Sequence, residues 1–209
     1  MRVKFNQKTD LSKADVSRER ILDAAAKLFR GNGYAATTLR DIADEARMKA
    51  GSIYYHFKSK EELLEAVLEI GIRSVHEAVK AAVNAVPPKV GFPEKIATAI
   101  EAHLKGLFKH GDYTSANIRI FGQIPATVHR RHLPMREAYG RYWLDLLKAG
   151  QASGELRKDI DPAMAAMMLI GAMNWALEWY KPNTQPLERI AHTFAQVLNH
   201  GVVKPKNRS

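Results

Sequence analysis

Apolar residues recur at helical spacing along almost the whole chain, and no stretch keeps up the two-residue alternation of a half-buried strand. Ile21, Leu22, Ala25, Leu28 and Phe29 fall on one face of a first helix beginning near Ser17, which Gly31-Asn32-Gly33 brings to an end. Thr38 with Asp41 three residues on reads as a capping box, starting a short helix that buries Ile42, Ala43 and Ala46. A second short helix follows, about Ala50 to Phe57. Ser59 then caps a long one that runs to Pro87-Pro88. Further helices are expected from Pro93 to about His110 and around Ser115–Gln123. Others should run from Pro134 to the Gly150–Gly154 region, from Asp161-Pro162 through Trp179, and from Pro186 to about Asn199. The pattern predicts an all-α chain of about nine helices.

Several classes of chemistry drop out early. The chain has no cysteine, so disulfides, thiolate metal sites and cysteine nucleophiles are excluded. His129-x-x-His132 has helical spacing but neither a third histidine nor a nearby carboxylate, so no metal is expected. No nucleophile-base motif and no glycine-rich phosphate loop occurs; no catalytic residue and no cofactor is assigned, and the chain does not read as an enzyme. The N-terminus lacks the apolar core of a secretory signal, and Pro162 to Leu177 is interrupted by Gly171 and Asn174 and is short for a bilayer, so a cytoplasmic chain without a membrane partner is expected. Charge supplies the positive lead. The net charge is +10, and residues 1–60 hold 13 Lys/Arg against 7 Asp/Glu. A basic N-terminal quarter points to a polyanion, with plain solubility as the bland alternative.

Two short helices joined by a tight turn, behind a longer support helix, describe a helix-turn-helix unit. The second must be slim at its start to enter a major groove. Ala50, Gly51 and Ser52 are all small there, and Lys49 precedes them. Tyr54 and Tyr55 lie about 100° apart on a helix, so both cannot be core. Tyr54 is expected to pack inward with Ile53 and Phe57, and Tyr55 to point outward near His56.

The run TTLRDIADEA followed by GSIYYHFKSKEEL resembles the DNA-binding region of TetR-family bacterial transcription regulators, over roughly residues 17–64. The resemblance implies phosphate contacts from Thr38, Tyr55 and Lys60, and groove contacts from around Lys49, Gly51, Ser52 and His56. Structural roles compete: Thr38 caps a helix in any case, Lys60 can pair with Glu61 or Glu65, and His56 can simply pack or cap. The family's turn usually carries glycine where this chain has Arg47, and often serine or threonine where it has Lys49. Arg47 must therefore accept strain or an unusual backbone conformation, while adding charge where a DNA backbone would lie. The implied organisation is a basic tail over residues 1–16 (Arg2, Lys4, Lys8 and Lys13 as flexible cations), a DNA-binding domain over 17–62, a ligand-binding and dimerisation domain over 63–203, and a tail over 204–209. The implied partners are a double-stranded operator, a second copy of the chain and a small hydrophobic effector.

The later helices fit that division. The segment AMAAMMLIGAMNWALEWY is apolar nearly all round, and LERIAHTFAQVLNHGV carries an apolar stripe. Met164, Met167, Ile170, Ile190, Phe194, Val197 and Leu198 are the candidate dimer contacts, a purely intramolecular core being the alternative. Phe108, Arg119, Phe121, Tyr139, Trp143, Met168, Trp175 and Trp179 are the candidate effector contacts. Arg119, His129, Arg130, Arg131, His132 and Arg136 are expected to form a cationic rim beside an apolar cavity, a pairing that suits an acyl-CoA thioester. The stretches GELRKDIDPA and NWALEWYKP are similar to the CoA-thioester-responsive branch of the family. A multidrug-type sensor of free lipophilic compounds is the rival reading. It would need an acidic group in the cavity, for which Glu178, Glu101 and Asp145 are the candidates. The long helix from Lys60 would link cavity to reading head.

Overall fold

The computed structural model describes residues 12–181 and 184–201. Among these residues the chain is all helical: α1 (Lys13–Ala36), α2 (Leu39–Glu45), α3 (Ala50–His56), α4 (Lys60–Ala85), α5 (Phe92–Lys109), α6 (Gly111–Ile120), a 3-10 turn (Phe121–Gln123), α7 (Ala126–Ala152), α8 (Pro162–Asn174), α9 (Ala176–Trp179) and α10 (Leu187–Gly201). Only Trp175, itself in right-handed helical conformation, separates α8 from α9, so the described chain makes nine helical rods.

Local chemistry explains most boundaries. α1 starts earlier than Ser17 because Ser12 and Asp15 form a reciprocal capping box: the Asp15 amide donates to Ser12 Oγ at 3.1 Å, and the Ser12 amide donates to Asp15 at 3.1 Å. Lys13 to Val16, expected within a flexible tail, are therefore helical; Arg2, Lys4, Lys8 and residues 204–209 lie outside the described residues. α1 breaks at Gly33, whose φ of 79° suits a residue without Cβ. Thr38 and Asp41 cap α2 as expected, and Ser59 accepts from the Glu62 amide at the start of α4. Pro134 does not open a helix. It sits inside α7, which begins at Ala126. The hydrogen bond that Pro134 cannot donate would have gone to the Arg130 carbonyl, and both residues are exposed, so water can take its place.

The buried side chains form two clusters. The first gathers Ile21, Leu22, Phe29, Ile42, Ile53 and Phe57 with Leu63, Leu64, Val67 and Leu68 of α4 and with Ala116, Ile120 and Val128. The second gathers Val75 and Val79 of α4 with apolar residues of α5, α7, α8 and α10 around Trp143. One helix thus serves both cores. Gly71 marks the change-over, where a Cβ would stand 2.5 Å from the Tyr113 carbonyl oxygen and 3.1 Å from Asn117 Cβ, so α4 and α6 cross there at backbone contact. The first core also continues into α6 and α7, beyond residue 62. Tyr113 donates to Asp23 at 2.6 Å and Arg30 pairs with Asp112 at 3.0 Å, tying α6 to α1.

Candidate nucleic-acid interface and buried cavity

α3 is anchored on one side and open on the other. Ile53 and Phe57 are buried, and Arg18 lies over the Phe57 ring at 5.1 Å. The turn before it is held from behind by Arg20, whose guanidinium donates to the Ala46 carbonyl and, at 3.4 Å, to that of Arg47. Arg47 has φ of 54°, the single positive-φ non-glycine among the described residues, so the unusual conformation required by the missing glycine is present. Lys49 precedes α3 with no side-chain cap, and Lys49, Ala50 and Gly51 are exposed; Ser52 and His56 are half-buried. A Cβ at Gly51 would meet nothing within 4 Å. Tyr55 is 81% exposed and stands edge-on to His56 at 5.0 Å.

Tyr54 is a correction, because it is 62% exposed rather than packed inward. Its expected partner, Phe57, has left the helix for extended backbone (φ −138°, ψ 125°), so the two share no helical face. Two adjacent tyrosines therefore face outward. Thr38 keeps the capping role that competed with DNA contact, whereas Lys60 packs on Tyr34 instead of pairing with Glu61 or Glu65. The Thr38 hydroxyl donates to Asp41 at 2.7 Å. The Lys60 ammonium lies 4.1 Å from the Tyr34 ring centre, where desolvation holds its pKa below the ordinary lysine value. The Tyr34 hydroxyl donates to Glu61 at 2.8 Å, and burial with that carboxylate raises its pKa to about 12.

A cavity of about 110 Å³ lies between α4, α5, α6, α7 and α8, lined by apolar Ile72, Val75, Leu107, Ile118 and Ile170 and by polar His103, Thr114, Asn117, Arg136, Tyr139 and Asn174. Of the eight effector candidates, Tyr139 alone lines it. Trp143 is sealed in the second core, and Phe108 packs on Tyr180 at 4.8 Å. Phe121 lies under Arg136, outside the lining, and Met168, Trp175 and Trp179 are exposed. The lining is also not wholly apolar. His103 Nδ1 and the Tyr139 hydroxyl are hydrogen-bonded at 2.5 Å, and His103 Nε2 lies 3.2 Å from Asn174 Oδ1. Since Oδ1 only accepts, Nε2 carries the proton and Nδ1 accepts from Tyr139. Burial holds His103 neutral, with its pKa lowered to about 4.

The expected cationic rim is dispersed. Arg119 makes a two-pronged pair with Glu178 at 2.9 and 2.8 Å, and Arg131 pairs with Glu65 at 2.8 Å. His132 is buried against Asn117, its pKa lowered to about 4 by desolvation and then by the Arg136 charge. Arg136 alone turns into the cavity. No aspartate or glutamate lines it; Glu178 faces Arg119 and Glu101 pairs with Lys105 at 2.6 Å. Asn117 was missed by sequence reasoning although it is the hub. Its Nδ2 donates to the Leu68 carbonyl of α4 at 2.8 Å and lies 2.8 Å from His132, while its Oδ1 accepts from Arg136 at 2.5 Å. Nothing local distinguishes it from a surface asparagine.

The candidate dimer residues divide by side. Met164, Met167 and Val197 are 63%, 70% and 69% exposed, and Met168 and Trp175 are exposed as well. Ile170 is half-buried and lines the cavity, and Phe194 packs partly on the second core. Ile190 and Leu198 are corrections: both are buried where α10 packs within the protomer, so neither is available to a partner. Among the described residues no helix is long and apolar enough to cross a membrane, and no cluster of three metal-ligating side chains occurs.

Comparison with known proteins bears on both halves. Residues 21–67 match the pattern of bacterial regulatory proteins of the tetR family, and residues 91–202 match a tetracyclin repressor-like C-terminal domain. The chain is 27% identical over 205 residues to the HTH-type transcriptional repressor KstR2 of Rhodococcus jostii, covering 95% of this chain and 97% of that one. It is 25% identical over 191 residues to the fatty acid metabolism regulator protein of Bacillus subtilis, covering 87% and 93%. Among solved structures, AibR in complex with isovaleryl coenzyme A and operator DNA superimposes with a TM-score of 0.73 at 23% identity, over 87% of this chain and 97% of that one.

Proposed function

The chain belongs to the TetR family of bacterial regulatory proteins, a helix-turn-helix transcription regulator by descent, and from that premise we propose that it acts as a dimeric repressor released by a small hydrophobic effector. The observation that carries the reading is the two-sidedness of α3: Ile53 and Phe57 hold it to the support helix while Lys49, Ala50, Gly51, Tyr54 and Tyr55 are presented outward with half-buried Ser52 and His56 at their edge. A helix so anchored can lie in a major groove, with Arg47 and Lys49 near the phosphates. Thr38 and Lys60 then reach phosphate only from within their cap and their packing on Tyr34. One such unit reads one half-site, so a pseudopalindrome with half-sites about 34 Å apart, or a multiple of this, is expected. The uncovered methionines of α8, with Val197 of α10, supply the surface for the second copy.

The effector reading draws on the fatty-acid regulator and on AibR, whose ligand is an acyl-CoA. An effector binds the conformation unable to bridge two half-sites more tightly, and α4, shared by both cores, carries the difference. The cavity lacks the carboxylate that a cationic drug would require, which disfavours the multidrug reading. Competition of a labelled promoter fragment against bulk DNA at fixed salt tests the proposal. A specific repressor prefers its site by roughly 1,000-fold or more. Equal displacement by bulk DNA would reject it. Sedimentation of Met167→Glu, expected to be monomeric, tests the dimer surface.

A further inference from the structure

Arg136 is the single formally charged side chain lining the cavity, and no carboxylate pairs with it among the described residues. Its guanidinium lies 4.2 Å from the Phe121 ring centre, which stacks one face. Nη1 is committed to Asn117, at 2.5 Å from Oδ1 and 3.4 Å from the backbone oxygen. The Nε–Nη2 edge has no protein acceptor among the described residues, and that edge is the fork that grips a carboxylate or phosphate with two parallel hydrogen bonds. Burial works against the charge, with nothing acidic nearby to offset it. Across the cavity, His103 and Tyr139 satisfy each other.

We propose that the cavity takes a ligand with an apolar body and an oxyanion end, the body against Ile72, Val75, Leu107, Ile118 and Ile170 and the oxyanion in the fork of Arg136. This rests on reading the cavity as the effector site. The volume holds on the order of ten water-sized groups, which a short acyl chain fills. The oxyanion is the carboxylate of a free acid, since a CoA phosphate stands on the order of a dozen bonds beyond the acyl carbonyl and lies outside a cavity of this size. The oxyanion takes the free Nε–Nη2 edge while Nη1 stays on Asn117, and Asn117 also holds the Leu68 carbonyl of α4, so occupancy is felt through Asn117 on the helix that both cores share.

Calorimetric titration of the full chain with octanoate, octanamide and octanoyl-CoA tests this directly. Octanoate should bind at least about 10-fold more tightly than octanamide, its neutral isostere. Arg136→Met should weaken octanoate by about 30-fold and leave octanamide unchanged. Gly140→Leu fills the cavity from a position where a Cβ meets nothing within 4 Å; it should abolish binding while the thermal midpoint stays near the parent value. Octanoyl-CoA, which has no carboxylate at the end of its acyl chain, should bind no more tightly than octanamide, and a loss in Arg136→Met confined to octanoyl-CoA would overturn the assignment of the fork to a carboxylate. Equal binding of acid and amide, unchanged binding to Arg136→Met, or no binding of any of the three would overturn the proposal. No titration contains DNA, so these outcomes are separate from those of the promoter competition.

Discussion

Around α1–α3 the buried side chains are almost all apolar, with Thr37 the polar exception, whereas α5–α7 bury His103, Thr114, Ser115, Asn117 and His132. The first region keeps its polar chemistry outside, on Lys49, Gly51, Tyr54 and Tyr55, and uses its interior only to hold α3 still. The second turns polar groups inward, around a cavity. An apolar core tolerates no ligand and transmits position; a satisfied polar network can exchange partners. The two regions differ in where the polar chemistry sits: on the outside of an apolar core in the first, around a cavity in the second.

The comparison can be broken first at the core. Phe29→Ala, at a fully buried position of the first cluster, should cost about 3–5 kcal/mol in urea denaturation. Because α4 carries residues of both clusters, the variant should still unfold in one transition. Two transitions would mean that the cores are independent and that α4 couples nothing.

The next effect separates the regions by pH. His103 has a folded pKa of about 4, below its unfolded value of 6.5, so the unfolded chain takes up the proton first. Its contribution is therefore complete above about pH 6.5 and is lost as pH falls toward 4, by about 3 kcal/mol. His103→Gln should reduce the slope of that part of the pH–stability profile, with His132 carrying the remainder, measured by denaturation at pH 7 and 4.5. A parallel profile for the variant would remove His103 from the account.

A third contrast concerns the outer face. Gly51→Leu meets open space, so stability should stay within about 1 kcal/mol of the parent or rise as a helical glycine is lost. Operator affinity should nevertheless fall by about 100-fold, since the side chain stands where the groove floor must approach. Undiminished affinity would remove α3 from the interface. The smallest effect is at the turn. Arg47→Gly should relieve the left-handed backbone, gaining about 1 kcal/mol in thermal denaturation, while lowering the salt dependence of DNA binding by about one phosphate contact.

Legibility followed distance along the chain. The Thr38–Asp41 capping box, the break at Gly33 and the unusual backbone of Arg47 were readable because each is decided by residues within one turn, whereas the Ser12–Asp15 box was missed inside an expected tail. Pro134 misled because a proline reads as a helix start unless the exposure of the carbonyl it orphans is known. Aromatic content misled in the second region, since Trp143 filled the core and Trp175 faced outward while smaller Ile118, Asn117 and Gly140 lined the cavity.

Helical class, the order of the rods, the burial of Ile53 and Phe57 and the charge bias of the first quarter were determined by the sequence itself, because periodicity, caps and charge act over short range. Tertiary structure decided which rows of α4 to α8 face one another across the cavity, that Ile190 and Leu198 turn inward while Val197 turns out, and that Arg136 alone of the basic cluster lines the cavity. Those outcomes depend on how rods cross, and crossings such as the contact of Gly71 with Tyr113 are set by packing between residues distant in the chain.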